Sequence, residues 1–186
     1  MTKSTKTAAQ PLALEMLAAD HRKVEGMFAH YEREREGEAD ARRELGQRIC
    51  NELIVHAQVE EELFYPWLRE NLDDEELVEE ALVEHQSAKA LIAQLEGAEI
   101  DETYDAKIKV LGEYIRHHVK EEENEIFPQV RGKQEELDEL GQEMAARKTE
   151  LMEELGMEAG EAEAQSPEAA GERKSRAAGN SHRAAR

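Results

Sequence analysis

The stretch HAQVEEELFYP, residues 56–66, sets a histidine, three consecutive glutamates, two aromatics and a proline within one short segment. A second version, HVKEEENEIFP, occupies residues 118–128. In both, a histidine stands four residues before a glutamate (His56 to Glu60, His118 to Glu122) and ten before a proline (Pro66, Pro128). On a helix, a step of four leaves two side chains about 40° apart in azimuth and about 6 Å apart along the axis, so both reach one point. The surrounding pattern decides whether that point is in solvent or in the interior.

Apolar residues recur at alternating steps of three and four through four segments. The first, about residues 11–36, places Leu14, Leu17, His21, Val24, Phe28 and Tyr31 on one stripe. The second, about 40–71, gives Leu45, Ile49, His56, Glu60 and Leu63, with Leu53 filling the same face. The third, about 73–97, gives Val78, Ala81, His85, Ala88, Ile92 and Leu95. The fourth begins between Asp101 and Thr103, runs to about Phe127, and gives Ile108, Leu111, Ile115, His118 and Glu122. Such stripes are the inward seams of packed helices. Connections of a few residues require antiparallel neighbours, so the expected fold is all-α, an up-down four-helix bundle. Pro11 suits a first helical turn, and Asp73 with Glu76 resembles a capping box opening the third segment. Pro66 and Pro128 are expected to bend or end their helices.

Beyond the bundle, at 11–131, residues 132–155 remain helix-prone, with a thinner stripe of Leu137, Leu140, Met144, Leu151 and Leu155. This reads as an additional helix that lies on the bundle or binds a protein partner. Residues 1–10 read as a flexible N-terminus. From 156 to 186 the composition falls to Ala, Glu, Gly, Ser and Arg, which bury too little apolar surface to order themselves, so a disordered tail is expected.

Each of the four seams is interrupted by an inward histidine, and two carry an inward glutamate one turn later. Left to themselves, buried Glu60 and Glu122 would each cost several kcal/mol unless paired. Brought together, His21, His56, Glu60, His85, His118 and Glu122 supply four imidazoles and two carboxylates, the set from which bundles build dinuclear metal centres. This donor set suits iron, manganese, zinc or cobalt, and the lack of thiolate ligands argues against an iron–sulfur cluster or a common structural zinc site. Two iron ions are the expected cofactor, with positions left for water, an oxo bridge or a small diatomic.

A net charge of −20 argues against nucleic-acid binding, which favours a basic face. No window approaches the roughly 18 consecutive apolar residues of a membrane span, and the first residues lack the apolar run of a secretory signal. The single cysteine, Cys50, agrees with a reducing compartment, and the expected location is cytoplasmic.

The phrases ADH at 19–21, HAQVEEELFYP at 56–66, EH at 84–85 and HVKEEENEIFP at 118–128 resemble those of hemerythrin-like proteins of the HHE cation-binding group. The resemblance covers about residues 11–131. It implies a four-helix bundle around a non-haem di-iron centre, with ligands at the same six positions. Oxygen-carrying hemerythrins place a further histidine one turn after the third-helix ligand, where this chain has Lys89, and they space the fourth-helix carboxylate differently. The resemblance therefore implies a more open centre, closer to bacterial-type relatives proposed to decompose peroxide, sense nitric oxide or oxygen, or handle iron. The function expected is binding of, or reaction with, oxygen, peroxide or nitric oxide. A non-enzymatic iron or redox sensor working through the C-terminal helix, or iron sequestration, is the alternative.

Flanking residues divide as follows. Glu61 and Glu123 are expected at the surface, with acceptance of a hydrogen bond from a ligand as the other reading. Tyr114, one turn before His118, is expected to approach the centre or to pack in the core. His117 and His30 are expected off the seam, His182 in the tail, Cys50 as inert packing and Trp67 as packing at the bundle end.

Overall fold

The computed structural model describes residues 11–72 and 75–157. Among the described residues there are five helices and no strand. Helix α1 is Leu12–Arg33. Helix α2 runs Ala39–Val59, widens through a π turn at Glu60–Phe64, and continues as Tyr65–Asn71. Helix α3 is Glu75–Leu95. Helix α4 runs Glu102–Glu121, widens through a second π turn at Glu122–Ile126, and continues as Phe127–Val130. Helix α5 is Gln134–Glu154. The first four form the expected hemerythrin-like bundle. The side chain of Asp101 caps α4 by accepting from the Tyr104 N–H at 2.8 Å. Asp73, and with it the expected capping box, lies outside the described residues, as do residues 1–10, 158–186 and His182.

The seams pack as their period requires. Every member of the α1 and α3 stripes is buried. The histidines form a polar layer that divides the core in two. One cluster holds Leu14, Leu17, Val59, Phe64, Ala81, Ile126 and Phe127; the other holds Val24, Phe28, Ile49, Leu53, Ala88, Ile108 and Leu111. Apolar packing above and below the layer leaves the six inward polar side chains little freedom to turn away.

Neither proline ends its ligand helix on the spot: the chain stays helical to Asn71 and to Val130. Proline lacks an N–H, and its ring collides with the carbonyl four residues back in a regular α-helix. Here the turn before each proline is widened. The N–H of Tyr65 donates to the carbonyl of Glu60, five residues back, and that of Phe127 does the same to Glu122. The helix continues through the proline.

Helix α5 lies on the bundle, against α1 and α2. Leu137, Leu140, Met144 and Leu151 are buried there, while Leu155 is exposed. The stripe available to a protein partner is thus already used within the chain. Gly141 permits the close approach: a Cβ at this position would lie 2.6 Å from the Ala13 backbone nitrogen. Asp138 accepts from the Leu12 N–H at 2.8 Å, and Arg147 donates to Glu62 on α2 at 2.7 Å.

Candidate metal centre

All six expected groups converge in the polar layer. Glu60 is 0% exposed and Glu122 1%; the four histidines are buried. One ligating atom each from His21, His56, Glu60 and Glu122 lies within 4.8 Å of the others, and so does one each from Glu60, His85 and His118. Glu60 belongs to both groups. Its Oε2 is 3.1 Å from His56 Nε2 and 3.4 Å from His85 Nε2. Glu122 Oε2 is 3.3 Å from His21 Nε2 and 3.7 Å from His118 Nε2. The result is two neighbouring points, each faced by two imidazoles, with carboxylates between them.

Several of these buried atoms have no hydrogen-bond partner: His21 Nε2, both nitrogens of His56, both oxygens of Glu60 and Glu122 Oε2. A buried polar atom left without a partner costs about 1–3 kcal/mol, more when charged. Here such atoms gather at one place and aim at each other. Cations placed among them remove that cost, which is the physical sense in which the residues fit a metal centre.

The outer faces of the rings are held from outside the layer. His21 Nδ1 lies 2.9 Å from Glu123 Oε1, His85 Nδ1 3.0 Å from Glu61 Oε1, and His118 Nδ1 2.9 Å from Glu84 Oε2. His56 Nδ1 faces Asp20 Oδ2 at 3.6 Å, too far for a hydrogen bond. Each carboxylate comes from a neighbouring helix, so the four contacts run as a closed ring around the bundle. A carboxylate only accepts, so in His21, His85 and His118 the Nδ1 carries a proton and Nε2 is the atom left to face inward. Glu61 and Glu123 therefore orient inward histidines rather than forming plain surface. Asp20 and Glu84, each immediately before an inward histidine, had no role assigned from the sequence, although the repeated acid-His pair is visible there.

Tyr65 was also missed. Its buried hydroxyl donates to Glu122 Oε1 at 3.0 Å and lies 3.3 Å from His85 Nε2. Burial and the charges of Glu122 and Glu60 push its pKa well above the ordinary 10, so it remains a donor. Tyr114, by contrast, is 48% exposed, neither near the centre nor in the core. On α4 it lies one turn from His118 but on the solvent-facing edge of the seam. His117 is exposed and His30 half-buried, both off the seam, Cys50 is buried, and Trp67 packs at the bundle end beside Phe64, as expected.

Beside the histidines is a small cavity, also lined by Val24, Leu53, Ala88, Ile92 and Ile115, of about 20 Å³. That is room for one molecule of water size. Lys89 lines it too, its ammonium 2.6 and 2.7 Å from the two oxygens of Glu61.

A helical bundle with an interior cage of imidazoles and carboxylates defines a metal-binding bundle protein. The chain belongs to the hemerythrin HHE cation-binding domain family, whose model matches residues 12–130. Among curated proteins, a DNA nickase from Nostoc sp. (strain PCC 7120 / SAG 25.82 / UTEX 2576) is 24% identical over 140 residues, 74% of this chain and 39% of that protein. The chain thus spans about two fifths of that relative's length. No solved structure matches the chain. Among the described residues, no helix is long and apolar enough to cross a membrane.

Proposed function

We propose that the chain is a cytoplasmic non-haem di-iron protein that binds or reacts with a small oxidant: oxygen, peroxide or nitric oxide. In this reading His21 and His56 would help hold one iron, His85 and His118 the other, and Glu60 and Glu122 would supply the carboxylates. The observation that carries it is the convergence of buried, unpartnered Nε2 and carboxylate atoms in one layer. When bound, the two irons supply redox-active Lewis acids with positions for a small ligand.

The chain's own groups do the rest. Glu123, Glu61 and Glu84 hold three imidazoles in the tautomer that presents Nε2 inward. Tyr65 steadies Glu122 and offers a hydroxyl proton beside His85. The small cavity there, about 20 Å³, is lined by aliphatic side chains together with the four histidines, Asp20 and Lys89, which favours a small oxidant over an organic substrate. With a charge of −20 the chain offers little attraction to a polyphosphate, so the proposal includes no nucleic-acid substrate.

One observation favours a sensor instead. Lys148 on α5 pairs with Asp20 beside His56, tying the C-terminal helix to the centre. One dinuclear site per 21.1 kDa chain makes a poor iron store, so sequestration ranks last.

The test is metal content per chain of aerobically purified protein, with an optical spectrum before and after peroxide. Two irons with charge-transfer bands that respond to peroxide support the proposal. No metal, or a single zinc, overturns it. Repeated turnover of peroxide identifies a catalyst, and one stoichiometric oxidation identifies a sensor.

A further inference from the structure

Four outer carboxylates face the four histidines, and one of them is out of reach. Three sit at 2.9–3.0 Å from their Nδ1 atoms, while Asp20 Oδ2 stands 3.6 Å from His56. His56 is also the one ring of the four with neither nitrogen hydrogen-bonded. Asp20 also has a second partner. The Lys148 ammonium makes a short ion pair with the other oxygen, Oδ1, of Asp20. Both side chains are largely buried, 18% and 11% exposed, so the ammonium is weakly screened. Glu61 is likewise shared with a lysine, Lys89, yet keeps its 3.0 Å contact with His85 because its Oε1 meets both. Asp20 is shorter by one methylene and does not span both partners. Lys148 lies on α5, outside residues 12–130 that match the family.

We infer that Lys148 is a positioning residue for the metal centre: it holds Asp20 off His56 and makes the His21–His56 position the weaker of the two. This rests on the metal reading of the six inward groups. A metal-bound imidazole that donates Nδ1–H to a carboxylate is a more basic and better oriented ligand, and losing such a partner typically costs about 10–100-fold in metal affinity. The ammonium also cancels negative charge close to that position. Both effects act in the same direction, against the His21–His56 ion. Docking of α5 thereby sets how firmly one of two otherwise matching positions holds its metal.

The test compares wild type, Lys148→Met and Arg147→Gln, all full-length. Arg147 anchors the same helix through Glu62 and touches no outer carboxylate of the four rings, so its variant measures loosened docking alone. Zinc is titrated into each metal-free protein by calorimetry, and the imidazole protons are followed by NMR. Lys148→Met should tighten one of two zinc ions by about tenfold or more, leave the other within twofold, and bring the His56 Nδ1 proton into a slowly exchanging, low-field hydrogen bond. Arg147→Gln should do neither. Unchanged or weaker binding in Lys148→Met, or equal shifts in both variants, overturns the inference. If no variant binds zinc, the metal reading fails on its own. The His56 proton of the metal-free chain then still decides whether Lys148 holds Asp20 away.

Discussion

The Tyr65 hydroxyl donates to Glu122 Oε1 across the bundle, 3.0 Å from a helix-α2 aromatic to a helix-α4 carboxylate. Neither residue is more than 1% exposed. A hydrogen bond to a buried charge is stronger than one between neutral groups, and losing it leaves a carboxylate oxygen without a donor. Tyr65→Phe should therefore keep the helical fold and destabilise the metal-free protein by about 1–3 kcal/mol in urea unfolding. An unchanged midpoint would show that the hydroxyl contributes nothing.

Glu60 touches both candidate positions, so it should matter more than any single histidine. Glu60→Ala is expected to lower bound metal from two ions to one or none, read by elemental analysis after dialysis. Retention of two ions with an unchanged spectrum would remove Glu60 from the ligand set.

In the metal-free chain the centre must hold protons. Burial favours the neutral His56 ring, but the Glu60 charge and Asp20 outweigh it and push the pKa up to about 10. Burial likewise opposes the Glu60 charge, and the neighbouring His56 and His85 outweigh it, holding the carboxyl well below 4.5. The raised histidine contributes stability in full below its ordinary 6.5, lost as pH rises through about 10. The depressed carboxyl contributes above 4.5, lost as pH falls. The metal-free protein should thus be most stable between these limits. Because a metal needs the Nε2 lone pair, uptake at pH 7.5 should release at least one proton. Calorimetry in buffers of different ionisation enthalpy measures this, and zero release would be incompatible with a protonated His56.

The α1–α5 contact depends on the absence of a side chain. A methyl at position 141 would meet backbone of α1 at 2.6 and 2.9 Å, where little can yield. Gly141→Ala should cost about 1–3 kcal/mol of unfolding free energy while leaving the six inward groups in place. A variant as stable as wild type would mean that α5 docks more loosely than the packing indicates.

Cys50 is 3% exposed, and its thiol is pushed up to about 12 by burial and by Glu96. A thiol reagent at pH 8 should leave it unmodified in the folded chain and label it once in denaturant. Rapid labelling of the folded chain would contradict the packing around Ile49 and Leu53.

By itself the sequence determined the helices, their short connections, and the inward placement of His21, His56, Glu60, His85, His118 and Glu122. All of these follow from one local rule, the 3.6-residue period, which acts along each helix without reference to any other. The count fails where the helix departs from that period. In a regular α-helix Tyr65 lies about 140° from Glu60, facing away. The π turn stacks it on Glu60's side instead, and does the same for Phe127, which lies 6.1 Å from the His21 ring. The residue pairs that hold the centre are likewise tertiary. Asp20 with His56, Glu61 with His85, Glu84 with His118 and Glu123 with His21 each join different helices. Which carboxylate reaches which ring depends on helix rotation and side-chain length, and no periodicity along one segment encodes it. The same holds for Tyr114, whose seam position faced solvent once the neighbouring helices took their places. It holds too for α5, whose thin stripe chose the bundle because Gly141 lets two backbones close.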